Sequence, residues 1–79
     1  MEKSLKAFIS YSHRELINLL KRLGFNVVRQ RGSHTRLEYK GQFVTVPPHK
    51  NIKPGLLQAI LKSVFKMTRI ELDELYKML

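Results

Sequence analysis

Apolar and polar positions follow two periods along this chain. Leu16, Leu20 and Leu23 recur at helical spacing, and Ile17 and Leu19 widen the stripe. Ser12-His13-Arg14-Glu15 precedes them and matches a capping box, in which a hydroxyl and a carboxylate each satisfy an unpaired backbone N–H. Gly24 follows, where a helix end favours positive φ. The spacing predicts a helix over 12–23. Residues 1–9 show no clear period and form a lead-in.

The period then shortens to two. Phe25 to Arg31 is rich in strand formers and is closed by Gly32-Ser33. In His34-Thr35-Arg36-Leu37-Glu38-Tyr39, the residues Thr35, Leu37 and Tyr39 share one face, and His34, Arg36 and Glu38 the other. Lys40-Gly41 suits a two-residue hairpin loop. Gln42 to Val46 makes a third strand, ended by Pro47-Pro48, which cannot donate to a ladder.

The helical period returns after the connector His49-Lys50-Asn51-Ile52-Lys53. Pro54 suits a first helical turn, and Leu56, Leu57, Ile60, Leu61 and Val64 form a stripe over about 54–65. Thr68-Arg69-Ile70-Glu71 reads as a second capping box before Leu72, Leu75, Tyr76 and Leu79, a short helix over about 69–79. The predicted fold is α+β: a three-stranded antiparallel meander with two helices on one face, plus a short C-terminal helix. The opposite sheet face has nothing to cover it and is expected to be wet. One domain over 1–79 is expected, with its core in about 12–65.

Charge changes the picture. The 79 residues carry 15 Lys plus Arg against 6 Asp plus Glu, a net +9. The acidic residues Glu71, Asp73 and Glu74 gather at the C-terminus, so the basic field belongs to the rest of the chain. Such a body is attracted to polyanions. Cysteine is absent, which excludes disulfides, thiol nucleophiles and Cys-based zinc sites and fits a reducing compartment. No apolar run approaches the roughly 20 residues of a membrane span, and no signal peptide is visible. The expected location is the cytoplasm.

Three histidines carry the candidate chemistry. Their spacing gives no helical His pair, and no metal or other cofactor is expected. His13, at a helix start, is expected in solvent and without function. His49 follows a rigid Pro-Pro turn and is either a loop residue or an auxiliary contact to phosphate. His34 projects opposite Leu37 and Tyr39, with Arg36 on its own side and Arg29 and Arg31 just before the turn. An imidazole has an unperturbed pKa of about 6.5, and surrounding cations favour its neutral, proton-accepting form. That suits a general base acting on an RNA 2′-hydroxyl while the cations hold the phosphate. The alternative for His34 alone is a surface residue of a hairpin. Phe25, Tyr39 and Phe43 are expected in or beside the core, which leaves base stacking weakly supported.

Taken together, Leu23-Gly24-Phe25, Arg29-Gln30-Arg31-Gly32-Ser33-His34, Val44-Thr45-Val46-Pro47 and Pro54-Gly55-Leu56-Leu57-Gln58-Ala59-Ile60-Leu61-Lys62 resemble the HicA toxin family, over about Ser12 to Lys62. The resemblance implies a double-stranded-RNA-binding-domain-like α-β-β-β-α fold. It implies metal-independent cleavage of mRNA with His34 as the catalytic residue, and neutralisation by a HicB-type antitoxin that covers the active site. The Val-Pro-x-His part of the pattern falls on Val46, Pro47, Pro48 and His49. Gly32 and Ser33 join Arg29, Arg31 and Arg36 as candidate phosphate contacts. Lys50 and Lys53 join them because a duplex-RNA-binding domain places basic residues at the start of its second helix. Two departures stand out: Thr35 replaces the second His that many members carry, and the usual Gly after helix 2 is missing. Two other readings share the charge: a non-catalytic RNA-binding module of the same fold, and a basic protein that grips an acidic partner.

Overall fold

The computed structural model describes residues 10–32 and 34–79. Ser33 and the lead-in 1–9 lie outside the described residues. The elements run α1 (His13–Arg22), β1 (Asn26–Arg31), β2 (His34–Tyr39), β3 (Gln42–Val46), α2 (Pro54–Thr68) and α3 (Leu72–Met78). The strands form one antiparallel sheet in the order β1-β2-β3, so the α+β expectation holds.

Local chemistry explains most boundaries. The capping box at α1 is complete: Glu15 N–H donates to Ser12 Oγ at 3.1 Å, and Ser12 N–H donates to Glu15 Oε1 at 2.8 Å. At the other end Phe25 N–H reaches Leu20 O at 2.9 Å and Gly24 N–H reaches Lys21 O at 3.1 Å. This is a Schellman pair, and it requires the positive φ of +102° that Gly24 adopts. In the β2–β3 loop both Lys40 (φ 49°) and Gly41 (φ 83°) are left-handed, the type I′ turn whose twist matches paired strands.

Two boundaries differ from expectation. Helix α2 runs three residues further, to Thr68, because no Gly or Pro interrupts Lys66-Met67-Thr68. Arg69 ends it in the left-handed region at φ 65°, and its N–H donates to Phe65 O. Thr68 is therefore not the N-cap of α3. Its Oγ1 donates to Val64 O at 2.9 Å and accepts from Ile70 N–H at 3.1 Å, closing α2 instead. Glu71 occupies the N-cap of α3 without a side-chain cap bond.

The helices and one sheet face share a single core. Leu16, Leu19 and Leu20 of α1, Leu37 and Val46 of the sheet, Leu57, Leu61 and Val64 of α2, and Leu75 of α3 are fully buried. Complete burial of each such side chain contributes about 1.5–3 kcal/mol relative to exposure. Phe25 stacks on Tyr39 with ring centroids 4.8 Å apart, closing the far end of the sheet. Ile52, set among polar residues in the connector, is also fully buried. An isolated bridge to Tyr11 holds it there, and Ile52 N–H donates to Tyr11 O at 2.6 Å. Leu56, assigned to the α2 stripe, is instead 43% exposed. Of the adjacent pair Leu56 and Leu57, Leu57 takes the core position and Leu56 lies at the solvent side of the stripe. Arg22 Nη2 donates to Met78 O at 2.6 Å, tying the C-terminal end of α3 to α1. Burial pushes the phenol of Tyr76 up, with a smaller push from Tyr11.

Candidate active site

Strand β2 divides the sheet into two faces. Thr35 and Leu37 point into the core and are buried. His34 and Arg36 alternate with them and are exposed on the outer face. No described element covers that face.

A β-bulge decides what else stands there. The register pairs Val27 with Leu37 but Arg29 with Arg36, so Val28 is an extra residue between them. Residues directly opposite one another share a face. Val27 therefore lies on the core side with Leu37, while Arg29 and Arg31 lie on the outer side with Arg36 and His34. A regular strand would send Val27, Arg29 and Arg31 to one and the same face. The bulge is what brings two arginines beside His34. Nothing in Val27-Val28 announces it: both are apolar, and no glycine marks the spot.

The polar end of the sheet meets two other segments. A groove of about 560 Å³ is lined by Gln30 and Gly32 from β1 and its turn, Ser12, His13 and Arg14 from the start of α1, and Pro48, His49 and Lys50 from the connector. Lys53 lies one step further, lining a smaller hollow of about 310 Å³ with His49, Asn51 and Leu56. The structure thus gathers Gly32, His49 and Lys50 at one groove, while Arg29, Arg31, His34 and Arg36 line the adjoining sheet face. Lys53 sits at the margin. The nearby carboxylates are engaged elsewhere: Glu38 Oε2 accepts from Gly41 N–H at 2.7 Å, and Glu15 closes the capping box.

His13 is not the solvated residue expected. Its Nδ1 meets Pro47 O at 2.9 Å, and a carbonyl only accepts, so Nδ1 carries the proton. Nε2 is then the acceptor and lies 3.3 Å from Thr35 Oγ1. The backbone N–H of His13 also donates to His49 O at 2.9 Å. One half-buried residue thereby joins the start of α1 to the strand that carries His34 and to the loop that carries His49. A histidine in a first helical turn gives no sequence sign of partners this distant in the chain.

Phe43 also departs from expectation. It lies on the outer face, 47% exposed, with the Arg36 guanidinium 4.3 Å from its ring centroid. Here a signal was present: Val44 and Val46 share the core side, which turns Phe43 and Thr45 outward.

Such an arrangement can accept a proton at His34 and hold an anion with three guanidinium groups, whose planar donors match phosphate oxygens. Among the described residues no group of three or more His, Asp or Glu converges as a metal site. A family model described as the HicA toxin of bacterial toxin–antitoxin matches residues 13–64. The chain belongs to the HicA toxin family. The match spans α1, the whole sheet and most of α2, so every candidate residue of this toxin falls inside it. Membership makes the chain the toxin of a toxin–antitoxin system and implies an antitoxin partner. No curated protein and no solved structure matches this toxin closely enough to register. Among its described residues, no helix is long and apolar enough to cross a membrane.

Proposed function

We propose that this toxin is a metal-independent endoribonuclease acting on mRNA, with His34 as general base. The observation that carries the reading is the bulged register, because it puts Arg29, Arg31 and Arg36 on the face of His34. His34 takes the proton of a ribose 2′-hydroxyl. The 2′-oxygen attacks the adjacent phosphorus, the bond to the 5′-oxygen of the next nucleotide breaks, and a 2′,3′-cyclic phosphate remains. The departing 5′-oxygen takes up a proton from His49 or from water. The arginines offset the charge that builds on the non-bridging oxygens as phosphorus becomes five-coordinate. Backbone at Gly32 and Ser33, together with Lys50 and Lys53, extends the hold on the phosphate backbone. A HicB-type antitoxin neutralises the toxin in the cytoplasm by covering this face.

The deciding measurement is cleavage of single-stranded RNA by wild type and by His34→Ala, with thermal unfolding as a control. The rate is expected to fall by about 10²–10⁴-fold, the usual worth of a positioned base. The melting temperature should hold, because His34 is exposed and packs no core. EDTA should leave the wild-type rate unchanged. Equal rates for the two proteins would reject His34 as the base. Tight RNA binding by wild type with no scission would favour a binding module.

A further inference from the structure

Among the described residues, the outer sheet face carries one large apolar side chain among its arginines. Val27 and Val28, also exposed, sit at the bulge of edge strand β1, and Leu56 begins α2. Among the described residues Phe43, on the other edge strand β3, is the large apolar side chain whose ring lies against the Arg36 guanidinium, at 4.3 Å.

We propose that Phe43, with Arg36, is a base-stacking platform for single-stranded RNA, holding a nucleotide a few positions from the one being cleaved. The inference rests on the ribonuclease reading and adds a residue that sets where the strand lies. A planar guanidinium laid on an aromatic ring is already half of the sandwich in which proteins hold an unpaired base. The register supplies the spacing. Phe43 pairs with Glu38, four residues along β2 from His34, which is about 13 Å of strand. A chain with its phosphate at His34 passes Phe43 within a few nucleotides. Charge supplies the complement: Arg36 and Thr45, a directly opposed pair, lie between the two positions, and the Glu38 carboxylate is turned to Gly41 N–H. Among the described residues strand β3 ends the sheet, and no described strand screens the ring on that side. Duplex RNA keeps its bases stacked on each other, and so the platform selects single strands.

The chain has no tryptophan, so Phe43→Trp introduces a single one that can be excited apart from the three tyrosines. In a His34→Ala background, where RNA binds without being cut, a single-stranded oligonucleotide should quench that tryptophan and a duplex of the same sequence should not. Phe43→Ala in that background should weaken single-strand binding about ten-fold, within the range for loss of one stacked base, and Phe43→Tyr should restore it. With His34 intact, Phe43→Ala should raise KM and scatter the cleavage positions. Unaltered affinity in Phe43→Ala, or unquenched tryptophan with RNA bound, would overturn the platform. So would a loss confined to antitoxin binding, which would make Phe43 a protein contact. Wild type that neither binds nor cuts RNA would instead defeat the ribonuclease reading itself, and the platform with it.

Discussion

The two faces of β2 are built from neighbouring residues and answer to different demands. On the inner side, Thr35 and Leu37 are buried, and each has its partner: His13 for the hydroxyl, the core for the leucine. On the outer side, His34 and Arg36 are exposed, and the arginines there repel one another. Like charges on facing strand positions are unfavourable, and Arg29 lies directly opposite Arg36. The inner face stabilises the sheet and the outer face costs it something. Concentrating cations where they do not help folding is what a site awaiting a polyanion requires. The contrast also says that activity and stability should separate cleanly by residue parity along one strand.

The sharpest break comes from the inner side. Leu37→Ala should cost about 2–5 kcal/mol through lost burial and the cavity left behind. That is a large share of the about 5–15 kcal/mol that holds a typical domain together. Urea unfolding should show the midpoint falling steeply, and any loss of RNA cleavage should track the folded fraction.

A smaller effect is expected where the faces are coupled. His13→Ala leaves the Thr35 hydroxyl and the Pro47 carbonyl without their shared partner, at about 1–3 kcal/mol. His13→Asn, whose amide can still donate to Pro47 O, should recover part of it. The same unfolding series checks both variants. Equal midpoints for wild type and His13→Ala would show that the imidazole only fills space.

The outer side should move stability least. Arg29→Ala and Arg31→Ala should each change unfolding by no more than about 0.5 kcal/mol, as surface substitutions do. Each should flatten the slope of log affinity for single-stranded RNA against log salt by about 0.7. A salt titration in the His34→Ala background reads this directly. A slope unchanged in both variants would place the phosphates elsewhere.

How far the sequence was legible follows the same division. Strict alternation in 34–39 showed which residues of β2 face the core, because one polar step per residue leaves no second solution. The helical stripes of α1 and α3 were as readable. Leu56 was misplaced because two adjacent leucines satisfy a helical period in either rotation. Ile52 was missed because a lone apolar residue among polar ones has no period, and its burial depends on a bridge to Tyr11, 41 positions away. His13 was misjudged for the same reason, since its partners Thr35 and Pro47 are local to other elements. Of the candidate site, His34 and its basic surroundings were visible in sequence. The means of assembling them was not, because a bulge is a property of two strands in register.

That extra residue at Val28 has a consequence for how such a protein can vary. The placement of Arg29 and Arg31 depends on a count of positions rather than on the identity of any side chain. Val28 can be exchanged for other strand formers without disturbing the layout. Deleting it would straighten β1 yet keep Arg29 opposite Arg36 and Arg31 opposite His34, whereas flattening the bulge with Val28 retained and paired to Arg36 would carry both β1 guanidinium groups round to the helix side, away from His34.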